Sequence, residues 1–180
     1  MNSEQQDQYN DENLLDKMKN FKDEYYKTNS SNFLFKKKQK QQYAETICSQ
    51  FDVPTMIANT IRVLPDSNTV LVDYELFKLF VNDNIYELFM DYTIQIFDYF
   101  VNNNISFNMQ INTKGITVTG IERYKGFINL FCMKTIEKNY SLFINEILLY
   151  NTPTMIDSII SIIKPFIEKS IYEKIKIARV

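Results

Sequence analysis

The stretch Ile105-Ser106-Phe107-Asn108-Met109-Gln110-Ile111-Asn112 decides the fold. Apolar side chains alternate with a serine or an amide, the period of two that sends one set to each face of a β-strand. Such a strand needs a covering layer on its apolar face. Before it, Asn102-Asn103-Asn104 reads as a stop. Upstream of that stop, Ile85, Leu88, Phe89, Tyr92, Ile96, Tyr99 and Phe100 recur at helical spacing and predict an amphipathic helix over residues 84–101. After it, residues 114–120 read as a connection and 121–134 as a second helix. Residues 144–150 are a further strand, interrupted only by Asn145-Glu146.

The same alternation continues outward. Ile61-Arg62-Val63-Leu64 and Thr69-Val70-Leu71-Val72 flank a turn at Pro65-Asp66-Ser67-Asn68, and Lys174-Ile175-Lys176-Ile177-Ala178 alternates as a last strand. Pro153 suits a helix start and Pro165 a helix stop, which predicts a helix over residues 154–164. Strands near 61–64, 69–73, 105–112, 144–150 and 174–179, separated by helices, make an α/β fold with a mixed, mainly parallel sheet. Upstream, residues 1–12 read as a disordered polar tail. Leu14, Leu15, Met18, Phe21, Tyr25 and Tyr26 open a helical region over residues 13–55, with a second helix near 35–51 that ends before Pro54. The α/β domain takes residues 56–180.

Composition excludes more than it suggests. The 180 residues are 45% apolar and 23% charged, values for one globular domain, and a formal net charge of −2 offers no general attraction to nucleic acid or anionic membranes. No histidine occurs, which removes Ser-His-Asp and Cys-His catalysis and histidine-bound zinc. The two cysteines, Cys48 and Cys132, sit in apolar periodic stretches and read as buried thiols in a reducing compartment. Few glycines and many Asn, Ile, Lys, Tyr and Phe reflect AT-rich coding, as in some protists and large DNA viruses. No stretch approaches the roughly 18 residues that span a bilayer, and the acidic N-terminus does not read as a secretory signal. The expected location is cytoplasmic, peripheral to membranes.

Three motifs have plainer accounts. Gly115-Ile116-Thr117-Val118-Thr119-Gly120 begins like a phosphate loop, but Ile121-Glu122 stand where Lys and Ser/Thr are needed, so turn glycines account for it better. Lys36-Lys37-Lys38-Gln39-Lys40, near Phe33, Phe35 and Tyr43, reads first as a solvated helix face, next as a contact for anionic headgroups, and last as a nucleic-acid stripe. Asp73, Glu75, Asp91, Asp98, Glu122, Glu146 and Asp157 are scattered, with no pair at acid/base spacing. No catalytic residue and no metal ligand is assigned.

Residues 155–167 carry Met155, Ile156, Ile159, Ile160, Ile162, Ile163, Phe166 and Ile167, leaving Asp157, Ser158, Ser161 and Lys164 a narrower polar face. A helix this apolar either completes a core, which composition favours, or covers an apolar ligand. Its frame is specific: Asn151-Thr152-Pro153 precedes it, Lys164-Pro165-Phe166-Ile167-Glu168 ends it, and Lys174-Ile175 opens the next strand. This order, with Pro165 twelve positions after Pro153 and Lys174 nine after Pro165, resembles the end of a CRAL-TRIO domain. That family includes phosphatidylinositol/phosphatidylcholine transfer proteins and the α-tocopherol transfer protein. Strand 105–112 leading to Gly115-Ile116-Thr117, and Asn139-Tyr140 before strand 144–150, are similar to the family as well, so the resemblance covers about residues 61–180. It departs at Leu142-Phe143, where phosphoinositide-binding members carry Glu-Arg, and both ends are shortened.

The resemblance implies a non-enzymatic protein that holds a phospholipid or another hydrophobic small molecule under a gate helix, for transfer or presentation. It assigns lipid contact to Phe107, Met109 and Ile111 on the strand, and to Met155, Ile156, Ile159, Ile160 and Ile163 on the gate. Phe166 and Ile167 follow the gate, and Lys174 takes the family's headgroup position. The partners implied are the lipid itself, a membrane in transient contact and no nucleic acid. The alternatives are a CRAL-TRIO-like scaffold that binds a protein partner, or a structural subunit, neither with a lipid. No cofactor beyond the lipid is expected.

Overall fold

A computed structural model describes residues 3–29 and 36–178, with side chains from residue 14 in the first span and from residue 38 in the second. Phe33, Phe35, the side chains of Lys36 and Lys37, and the last two residues of the chain lie outside it. Three helices come first: α1 (Ser3–Thr28), α2 (Lys36–Gln50) and α3 (Val53–Thr60). The backbone of residues 3–12 continues α1 rather than standing apart as a disordered tail. Its Glu and Gln residues favour a helix, so α1 extends toward the N-terminus past the point where apolar periodicity begins.

The sheet has five strands, β1 (Ile61–Val63), β2 (Thr69–Asp73), β3 (Phe107–Asn112), β4 (Ile144–Tyr150) and β5 (Ile175–Ile177), in that spatial order. β1 and β2 pair antiparallel across the Pro65 turn, and every later pair is parallel. Parallel neighbours need crossovers, and helices supply them. α4 (Tyr74–Phe80) and α5 (Tyr86–Asn102) join β2 to β3, α6 (Val118–Thr135) joins β3 to β4, and α7 (Ile156–Ile163) and α8 (Lys169–Tyr172) join β4 to β5.

Register sorts the side chains into two faces. Val63, Val70, Met109, Ile147 and Ile175 stand in one row, and Ile61, Val72, Ile111, Leu149 and Ile177 in the next, on the same apolar face. Arg62, Leu71, Gln110, Leu148 and Lys176 form a more polar row behind them. The Asn145-Glu146 interruption is a bulge: Phe107 pairs with Ile144, yet Asn108 pairs with Glu146, which leaves Asn145 as the extra residue. The bulge lets Ile144 and Ile147 face the same way despite their odd spacing.

Local signals end the helices where polar residues mark them. Asn104 adopts a left-handed φ of 55°, and the Ile105 N–H donates to the Phe100 carbonyl, closing α5. α7 ends at Ile163, and Pro165 sits inside a following 3-10 turn, Lys164–Phe166. Two helices escaped the pattern reading. Pro54 begins α3 rather than closing α2, because Asp52 caps the Thr55 N–H and proline needs no donor in a first turn. α4 is apolar nearly all round and so short that periodicity cannot distinguish it from a strand; the Asp73 carboxylate caps its Leu76 N–H at 3.0 Å.

The core runs from Met18, Tyr43 and Ile47 of the N-terminal helices through Phe77 and Phe80 to Phe97, Phe100 and Phe107. The C-terminal ends of the central strands are tied by amides: Asn112 donates to Asp73 at 3.0 Å and accepts from Asn151, also at 3.0 Å. Asn151, whose φ is 53°, thereby turns the chain out of β4. Cys48 and Cys132 are free and half-buried rather than fully buried. Cys132 stays partly open because it borders the space described next.

Candidate ligand cavity

The apolar sheet face does not meet the helices everywhere. A cavity of about 490 Å³ separates them, within the range of roughly 300–1,000 Å³ that holds a small organic ligand. Its floor is Ile61, Val72, Met109, Ile111, Ile144 and Ile147. Phe77 of α4 and Phe89, Thr93 and Phe97 of α5 form one wall, and Phe127, Phe131 and Cys132 of α6, with Ile136 just after it, the other. Pro165, Phe166, Ile167, Glu168 and Ile171 cover it.

The wall is preformed because its rings hold one another. Phe77 meets Phe89 and Phe127 edge-on, with centroids 5.2 and 5.4 Å apart, and Phe97 meets Tyr140 at 5.1 Å. The hydroxyls of Thr93, Thr135 and Tyr140 are already used. Thr93 Oγ1 donates to the Phe89 carbonyl at 2.9 Å, and Thr135 Oγ1 to the Phe131 carbonyl at 2.8 Å. The Tyr140 hydroxyl donates to Asp98 at 2.6 Å; burial and that carboxylate push its pKa up, so it stays neutral. Burial opposes charge on Asp98, but Lys138 and Tyr140 outweigh it and hold the carboxyl below its ordinary value. Burial, with Glu168 nearby, pushes the Cys132 thiol up. Apart from Asn129, Ser141 and Glu168, what remains facing the space is hydrocarbon, ring and one protonated thiol, a surface suited to holding an apolar molecule.

The mouth lies along the second half of α6. Met133 and Ile136 line the cavity and yet are each 65% exposed, and Leu130 on the same helix and Leu142, next to the lining residue Ser141, are also exposed. The nearby cations are paired: Lys134 with Glu87 and Asp91, and Lys138 with Asp98.

Of the residues singled out from sequence, Met109, Ile111, Phe166 and Ile167 come together around this cavity. Phe107 lies one step off, fully buried and stacked on Phe100 at 4.6 Å. Ile156, Ile159 and Ile160 are buried in packing that includes α6, Ile163 is half-buried, and Met155 is exposed; none borders the space. The Lys174 ammonium donates to the carbonyls of Ser141 and Ile144, both on the cavity lining. Sequence reading missed the α6 wall. Its signal was the i, i+4 pair Phe127 and Phe131, which looked like ordinary core.

Residues 35–180 match the CRAL/TRIO domain family. The chain belongs to that family. The match takes in α2 and α3 as well as the sheet. The crystal structure of Sfh5 shares the fold of this CRAL/TRIO chain, with a TM-score of 0.50 at 14% identity, covering 77% of this chain and 63% of that one. The chain therefore spans less than two thirds of the Sfh5 chain. No curated protein matches its sequence. CRAL/TRIO domains bind lipophilic ligands, in keeping with an apolar space between sheet and helices. Among the described residues, no helix is long and apolar enough to cross a membrane.

Proposed function

We propose that this CRAL/TRIO chain carries one lipophilic molecule, a phospholipid or a smaller apolar compound, between the sheet and helices α5 and α6. The observation that supports this most is the cavity of about 490 Å³ with hydrocarbon walls and spent threonine hydroxyls. Each methylene buried there contributes about 0.8 kcal/mol, so affinity needs few polar contacts. A two-chain lipid exceeds the space and requires the cover over residues 165–171 to lift. That cover acts as the gate, and α7 stays packed. Exposed Leu130, Met133, Ile136 and Leu142 insert into a bilayer beside the mouth, a contact that is apolar because the neighbouring lysines are paired. At the rim, Lys174 keeps one N–H direction beyond its two carbonyl bonds for an anionic headgroup.

The test is native purification followed by extraction and mass spectrometry, together with uptake of a labelled lipid from vesicles. A stoichiometric lipid, or uptake lost on Met109→Asp with the fold intact, supports the reading. No extracted lipid and no uptake would leave a ligand-free scaffold that binds a protein.

A further inference from the structure

A second cavity, of about 770 Å³, opens outside the carboxyl ends of β2 and β3, where open α/β sheets take ligands. Its wall is as basic as the first is apolar. Among the described residues, Lys22 of α1, Lys40 of α2, Lys78 of α4 and Arg123 of α6 line it together with the carboxylate of Glu122, which Lys125 holds at 2.7 Å. Four separate elements thus bring cations to one space in a chain of formal net charge −2. Burial, together with Lys22 and Lys19, pushes the Lys78 ammonium below its ordinary value, with Glu75 and Asp73 opposing. Burial is the larger part of that shift, and an anion bound beside Lys78 would favour its charged form.

The loop between β3 and α6 permits close approach. Gly115 has φ +72°, and a Cβ on it would stand 2.3 Å from Lys78 Nζ; a Cβ on Gly120 would stand 2.5 Å from the Tyr74 hydroxyl. Two of the chain's three glycines therefore sit where a side chain would displace a donor from the wall. Lys78 has one long bond, 3.4 Å to the Lys114 carbonyl, which leaves it donors to offer. Burial pushes the Tyr74 hydroxyl up to about 12, so it too remains a donor. The glycine spacing that opened like a phosphate loop lacked its cation in sequence. Here Lys22, Lys40 and Lys78 arrive from other helices, and Arg123 from α6 itself.

We infer that this second cavity binds a small, multiply charged oxyanion of the polyphosphate or phosphate-ester class, free or as a lipid headgroup. The inference is independent of the apolar cavity. The full chain is titrated with tripolyphosphate by calorimetry at two salt concentrations, and sedimented with phosphatidylcholine vesicles with and without phosphatidylinositol bisphosphate. Expected is binding that weakens with salt and drops about tenfold or more in Lys78→Gln and in Arg123→Gln, but not in Lys176→Gln on β5, which does not line the cavity. Binding only to the phosphorylated vesicles, with the same loss in the variants, assigns the anion to a headgroup. If Lys78→Gln does not fold, the exposed Arg123 carries the comparison. No binding in either arm, or binding that folded variants leave unchanged, overturns the inference.

Discussion

Replacing Ile160 by Asp separates a packed helix from a moving one. Ile160 is 7% exposed in α7, which packs against α6. Losing such a buried branched side chain costs about 2–5 kcal/mol, and an unpaired buried carboxylate adds several kcal/mol more. A total of at least about 5 kcal/mol rivals the whole stability of an ordinary domain. At about 2–4 °C per kcal/mol for a chain of this size, the melting temperature falls by at least about 10–20 °C. Phe166→Asp differs. Phe166 is half-buried on the cover, so its carboxylate can reach water, and the loss is near 1–2 kcal/mol, a few degrees. Differential scanning calorimetry and lipid uptake are run on both variants. The expected result is lost folding for Ile160→Asp, and a retained fold with reduced uptake for Phe166→Asp. If Ile160→Asp melts within a few degrees of the parent but loses uptake, α7 is the gate and the reasoning fails.

Three further outcomes follow from the same geometry. Lys174→Ala should weaken transfer of an acidic lipid more than a neutral one; an equal loss for both means the lysine only ties its two carbonyls, and a lowered melting temperature accompanies either result. Asp98 and Glu75 both have depressed folded pKa values, Glu75 because Lys19 and Lys114 outweigh its burial. Their contribution is therefore full above the unfolded carboxylate pKa of about 4 and is lost as pH falls through the lower folded values. Asp98→Asn should flatten that acid limb in pH-dependent melts, and an unchanged limb would refute the assignment. In a Cys48→Ser background, maleimide should label Cys132 slowly at neutral pH and faster as pH rises, with bound ligand slowing it further; a rate indifferent to ligand would put Cys132 off the site.

The period of two in residues 105–112, and its weaker copies in the other strands, determined the sheet, because a half-buried strand must show one face to the core. Register then followed from burying Met109, Ile111 and their neighbours together. Stops such as Asn104 were legible for the same local reason, whereas the Thr117 cap, whose Oγ1 accepts from the Gly120 N–H, starts α6 at Val118 inside what reads as a connection. Bulge and crossover details were not: Asn145 looked like a break, and α4 had no polar face to reveal a period. The apolar run at 155–163 showed that the helix is buried, but not against what. Burial against α6 and burial against a ligand leave the same pattern, since hydrophobic driving force is non-directional. Only the tertiary structure put Ile160 in packing and Phe166 over the cavity, and only it brought Lys22, Lys40, Lys78 and Arg123 together, because convergence between distant helices leaves no local spacing to read.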